Sequence, residues 1–142
     1  PIDIPYYQEY LMWIYNNAEF IEPSAADYGF VYCITNLETG RRYIGKKLFW
    51  NRKTRQVKGK KKRYLAESDW RDYYGSNDEL KADIEKSGID KFNRVILYLC
   101  PSKGECNYME AKVQFDLDVL RKPEEFYNNW IMVRTHRRHL KL

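Results

Sequence analysis

The sequence predicts an α/β domain of the α+β kind: a small three-stranded, mostly antiparallel sheet flanked by helices, with an N-terminal helix and a long basic loop. Three observations carry this. Gly29 to Lys47, GFVYCITNLETGRRYIGKK, has the pattern of a β-hairpin. Phe92 to Cys100, FNRVILYLC, is dense in β-branched and large apolar residues and reads as a third strand beside the hairpin. Ser76 to Glu79 and Ser102 to Glu105 both have the S-x-x-E form of a helix start.

In chain order, residues 3–17 read as a helix that packs on the domain or on a second copy of it. Asp3 caps it, Pro5 suits its first turn, and Tyr7, Tyr10, Leu11 and Ile14 form one stripe. Glu22 to Asp27 is a linker, so residues 1–28 form a helix with its linker and residues 29–142 a single domain. In the hairpin, Phe30 to Ile34 and Arg42 to Gly45 are the strands, and a loop over residues 36–39 places Tyr32 opposite Tyr43 on one face. Gly45 leaves the backbone open to a close-approaching phosphate, with Lys46 and Lys47 beside it.

Leu48 to Arg63 shows neither the helical nor the strand period and reads as a flexible loop. Ser68 and Asp69 open a short turn bearing Trp70, Arg71, Tyr73 and Tyr74, which Gly75 breaks. A helix is expected over 77–87, stopped by Gly88. Another is expected over 103–121, with Met109, Val113, Leu117 and Leu120 as its apolar stripe and Glu110 at the stripe's border. Pro123 ends it, residues 126–129 turn, Trp130 to Val133 form a last short strand or helix, and the basic tail from Arg134 frays.

A chain of 142 residues supports one core. Thirteen tyrosines, four tryptophans and six phenylalanines make that core aromatic and demand partners for many hydroxyls. No apolar run approaches the about 18 residues of a membrane span, and residues 1–20 lack a signal-peptide pattern. Cys33, Cys100 and Cys106, odd in number and without a CxxC pair, read as reduced, buried thiols of a cytoplasmic protein.

Residues 46–63 hold ten Lys or Arg and no Asp or Glu: Lys46, Lys47, Arg52, Lys53, Arg55, Lys58, Lys60, Lys61, Lys62 and Arg63. With a chain total of +5, the remainder is acidic. Charge segregated in this way is what a polyanion binder needs, because each neutralised phosphate releases counterions.

Phe30-Val31-Tyr32, ten intervening residues, then Tyr43-Ile44-Gly45, with a later helix carrying Glu110 and then Tyr127-Asn128, resembles the GIY-YIG endonucleases. The similarity runs from about Gly29 to Asn129 and is greatest to the Seg-like, including SegE-like, nucleases of T-even-type phages. The first triplet departs from the family pattern in its first two positions and keeps the tyrosine. The resemblance implies hydrolysis of DNA phosphodiester bonds with Mg²⁺ (or Mn²⁺), double-stranded DNA as partner, and the host cytoplasm as location if the chain is phage-encoded. Monomer and homodimer both fit.

On that resemblance, Tyr32 is the general base or the phenol that orients the attacking water, and Tyr43 the second motif phenol. Glu110 is the metal ligand; one carboxylate with waters and a substrate phosphate is ordinary Mg²⁺ coordination. Asn128, or its neighbour Asn129, holds a loop at the site or bonds a phosphate oxygen. Arg71 matches the family's catalytic arginine, with Tyr74 on the same helical face, Arg63 second in line, and Lys46 and Lys47 sharing the cationic duty. His136-x-x-His139 lacks the companions of a zinc site and reads as part of a DNA-contacting tail. The alternatives are a non-catalytic nucleic-acid-binding module with the same fold, and a protein-interaction module docking through its N-terminal helix.

Overall fold

The computed structural model describes residues 11–141. Seven strands occur there: β1 (Trp13–Tyr15), β2 (Ala18–Glu19), β3 (Gly29–Asn36), β4 (Arg42–Leu48), β5 (Trp50–Val57), β6 (Lys60–Glu67) and β7 (Phe92–Cys100). Two α-helices accompany them, α1 (Asp78–Ser87) and α2 (Lys103–Asp116). The architecture is α+β as expected, but the main sheet has five strands in the order β2-β1-β7-β3-β4. The two additional strands come from the N-terminal stretch expected to be a helix and its linker. Residues 11–17 instead enter and turn a short hairpin at Asn16 and Asn17, both at positive φ; residues 3–10 lie outside the described part. Its first strand runs parallel to β7 and buries Trp13 and Ile14.

The centre of the sheet is β3, antiparallel to both β4 and β7, and all eight of its residues are buried. Its alternating side chains feed two cores. Val31 and Cys33 meet Cys106 and Val113 of α2 on one face. Phe30, Tyr32 and Ile34 meet Trp13, Phe49 and Trp70 on the other. Burying aromatic rings of this size contributes a few kcal/mol each, so the second face anchors β3 firmly.

The hairpin forms where expected, with its register displaced by two residues. Asn36 accepts from the amides of Glu38 and Thr39, and pairs its own backbone with Arg41, so the loop is residues 37–40. Tyr32 therefore stands opposite Gly45, and Tyr43 opposite Ile34. A two-residue shift preserves the facing of every side chain, so both tyrosines still share one face.

Leu48 to Arg63 is not a flexible loop. Residues 50–67 form a second, two-stranded sheet, paired in register from Trp50–Glu67 to Val57–Lys60. Lys58 and Gly59, both at positive φ, make the primed turn that two-residue hairpins require. Repeated lysine masked the strand pattern.

Smaller corrections follow the same logic. Helix α1 is capped by Asn77, whose side chain accepts from Leu80 N–H, one residue later than the S-x-x-E reading. Helix α2 begins at the Ser102 cap as expected but ends five residues early, because Asp118 adopts a left-handed conformation; a 3-10 turn follows and Leu120 is exposed. Trp130 to Val133 is irregular rather than strand or helix. The tail is not frayed: residues 137–139 form a 3-10 turn, and Lys141 N–H donates to Glu105. All three cysteines are free and buried. No helix among the described residues is long and apolar enough to cross a membrane.

Candidate active site

The edge strand β4 carries the site, because the two faces of the sheet meet along its outer rim. Tyr43 points to the aromatic face and is 6.2 Å, ring to ring, from Tyr32 of β3. Lys46 points to the other face, where its ammonium lies 3.6 Å from the Glu110 carboxylate of α2. Gly45 separates them. A cleft of about 450 Å³ opens there, and its walls include Tyr32, Tyr43, Lys46, Glu110, Gln114 and Asn128. Phenols from one face thus share a space with a carboxylate from the other.

Backbone features aim these groups. The β3–β7 pairing shifts register between Val31 and Tyr32, and a bulge of this kind redirects the neighbouring side chain. The absence of a side chain on Gly45 leaves room for Tyr32: a Cβ there would meet the Tyr32 hydroxyl and lie 2.6 Å from Cζ. The phenol, not a phosphate, fills the opening that this glycine creates.

Asn128 closes the strand edge. Its amide accepts from Ile44 N–H at 3.0 Å and donates to Ile44 C=O at 2.8 Å, imitating a neighbouring strand. Gln114 donates to the same carbonyl. Asn128 thereby holds the 126–129 segment against the site, and both ends of its amide are engaged.

Arg71 and Lys47 lie outside the cleft walls. Arg71 hydrogen-bonds Glu67 and the Ile21 carbonyl and stacks on Trp70. Lys47 pairs with Asp69 at 2.6 Å and sits over the Tyr73 ring at 4.1 Å. Among the residues expected to supply positive charge, Lys46 alone lines the cleft. The other predicted cations, Arg52, Lys53, Arg55, Lys58, Lys60, Lys61, Lys62 and Arg63, are exposed along the β5–β6 ribbon.

Two important residues escaped the sequence reading. Tyr73 packs edge-on to Tyr32 at 6.0 Å, ring to ring; it is Tyr73, not Tyr74, that turns inward. The reason is Arg94. Its guanidinium is sandwiched by Trp13 and Tyr74 and donates to the carbonyls of Leu11, Arg71 and Tyr73. A buried arginine in a strand carries no local sign of this role. Trp130 and Met132, both highly exposed, form the outer rim of the cleft.

Burial controls the electrostatics. It raises the Tyr32 hydroxyl well above the ordinary phenol value, and the nearby Tyr73, Tyr43 and Glu110 add to the effect. Tyr43 is raised too, chiefly by burial, against the lowering effect of its hydrogen bond with Ser76. Burial also raises Glu110, while the ammonium and backbone amide of Lys46 hold it down. The free site therefore offers neutral phenols, one carboxylate reluctant to stay ionised without a cation, and one lysine.

No group of three or more His, Cys, Asp and Glu side chains suited to a metal is present among the described residues. A single carboxylate in an open polar cleft does fit a hexacoordinate Mg²⁺ that keeps several waters and takes substrate phosphate as a further ligand. A family model described as putative endonuclease segE, GIY-YIG domain, matches residues 13–131. No curated protein and no solved structure matches the chain.

Proposed function

The chain belongs to the SegE-like GIY-YIG family of nuclease domains, and from that membership we propose that it is an endonuclease hydrolysing phosphodiester bonds of double-stranded DNA with Mg²⁺ or Mn²⁺. The observation that carries the reading is the convergence of Tyr32, Tyr43, Lys46 and Glu110, from β3, β4 and α2, on one cleft.

The scissile phosphate enters between Tyr43 and Glu110, which line the cleft. Lys46 supplies positive charge to its non-bridging oxygens. Tyr32 is neutral in the free protein because burial opposes the phenolate; once its proton is released to solvent, the phenolate accepts a hydrogen bond from the attacking water, orients it and takes its proton. Raising a phenol pKa by one disfavours the phenolate by about 1.36 kcal/mol, so bound positive charge must offset that cost. Tyr43, bonded to Ser76 at 3.4 Å, donates to a phosphate oxygen. Glu110 would hold the divalent ion, which when bound supplies Lewis acidity to the phosphate and its leaving oxygen.

Arg71 and Lys47 act by positioning. Lys47 ties the turn bearing Tyr73 to β4, and Tyr73 steadies Tyr32. The β5–β6 ribbon, continuous with β4 through Leu48 and Phe49, carries eight of the predicted cations to the duplex, and an exposed Trp130 offers a stacking surface beside the cut.

Supercoiled plasmid incubated with Mg²⁺ or with EDTA tests the reading. Nicked or linear product only with the metal is expected. Salt-dependent binding without any product under either condition would instead make the chain a nucleic-acid-binding module of the same fold.

A further inference from the structure

A second and larger cleft, of about 1210 Å³, lies between the base of the ribbon, the first turn of α2 and the C-terminal segment. Its walls present Arg52, Lys53, Lys103, Arg138 and Lys141, five cations from three separate stretches of chain. Only Arg52 and Lys53 belong to the basic run of residues 46–63. Glu105, the acidic residue of the lining, already accepts the Lys141 amide at 2.7 Å.

The C-terminal segment is built into this place. His136 and His139 cap each other's backbone across their 3-10 turn. His139 lies so close to α2 that a Cβ on Gly104 would stand 2.6 Å from its own Cβ. Arg138 and Lys141 are thus held over the mouth of the cleft while their side chains stay exposed.

The two clefts share one seam. Lys46 lines the first and Leu48 the second, which is two strand residues, or roughly 7 Å. On α2, Glu110 lines the first and Glu105 the second, five helical residues or roughly 7.5 Å. Two independent elements give the same separation. A DNA strand advances about 3.4 Å per nucleotide along the helix axis, so a neighbouring phosphate of the same strand is within reach of the second cleft.

We propose that the cleft at the ribbon base is a second phosphate-backbone site for duplex DNA, gripping the cut strand close to the phosphate seated at Glu110. The proposal rests on the cleavage site described above and adds a binding site to it. Lysines act there as point charges, and the guanidinium groups of Arg52 and Arg138 suit bidentate contact with phosphate oxygens. The site fixes the direction in which the strand leaves the cleavage centre.

Binding of a fluorescent duplex oligonucleotide in EDTA, measured by anisotropy over a range of salt, tests it. The variant K103S/R138S/K141S changes only exposed side chains; K81S/K86S/K91S, at equally exposed positions on and after α1, removes the same charge elsewhere. The salt slope is expected to fall by about 0.9 for each phosphate no longer neutralised, so by about 2 to 3 in the first variant, with affinity at least tenfold weaker. The control variant keeps the natural slope within about 1. Single-turnover nicking at saturating DNA stays within about twofold of the natural rate in the control variant, whose lysines line neither cleft. Equal slopes in both variants would overturn the second site and leave the endonuclease reading standing. A natural chain that binds duplex with the expected slopes but never nicks would overturn the endonuclease reading and leave the cleft as a DNA site.

Discussion

Tyr32 and Gly45 face each other across β3 and β4, and the phenol of the first fills the space that the second leaves empty. A methyl group at position 45 would also approach Tyr43 Cε2 at 3.0 Å. Gly45 has an ordinary strand conformation, so the constraint is one of room and not of backbone angle. Gly45→Ala is expected to leave a folded protein by circular dichroism and to cut single-turnover nicking by about a hundredfold, the usual cost of misplacing a reacting group by about 1 Å. Retention of natural activity would mean that Tyr32 can move without consequence.

Burial of the Glu110 carboxyl costs stability when the group is ionised. Burial raises its pKa, so the folded chain holds this proton more tightly than the unfolded chain does. Stability contributed by the group therefore falls as pH rises from the ordinary carboxylate value of about 4.3 through the raised folded value. Glu110→Gln is expected to melt higher than the natural protein at pH 7, with the gap closing as pH falls toward about 4, while metal-dependent nicking is lost. A lower melting temperature at pH 7 would show that the Lys46 pair outweighs desolvation.

Burial holds Tyr32 in its neutral form, and the neighbouring Tyr73 adds to the effect. Tyr73→Phe removes the neighbouring hydroxyl and retains the ring. The rise of the single-turnover rate with pH is expected to move toward lower pH, with DNA affinity unchanged. A stationary profile would place the rate-limiting ionisation elsewhere.

Arg94 organises the turn from Arg71 to Tyr73 by donating to three backbone carbonyls. Arg94→Met keeps much of the packing and strands those acceptors. A loss of about 2 kcal/mol in urea unfolding is expected, together with weaker nicking as Tyr73 loses its support. Equal stability would mean that the desolvation cost of the buried guanidinium offsets its bonds.

The parts of this fold visible in the sequence are those governed by local chemistry. The 29–48 hairpin, the β7 run and the Ser102 cap are each specified by contiguous residues. The features that escaped are decided at a distance or by competing signals. Trp13 and Ile14 suit a helix as well as a strand, and their pairing with Arg94 and Val95 settles the matter. Lys60 to Arg63 hides its strand because every position is a cation, although Lys58-Gly59 is a hairpin turn. The choice between Tyr73 and Tyr74 depends on Arg94, some twenty residues on. In the site, Tyr32, Tyr43 and Glu110 were legible through the family pattern. Arg71 was misplaced because its spacing from Tyr74 suggested a helical face, whereas the turn directs its guanidinium to Glu67 and Ile21, away from the cleft.

In the proposed mechanism one phenol and one acid, reaching the cleft from opposite faces of the sheet, act on the same phosphate. Single-turnover nicking of supercoiled plasmid with Mg²⁺, at protein concentrations that saturate binding, measures this directly for the natural chain, Tyr32→Phe and Glu110→Ala. The expected outcome is a rate at least a hundredfold lower for each variant, with DNA affinity in EDTA unchanged. Natural rates in either variant would show that the phenol and the acid do not work together.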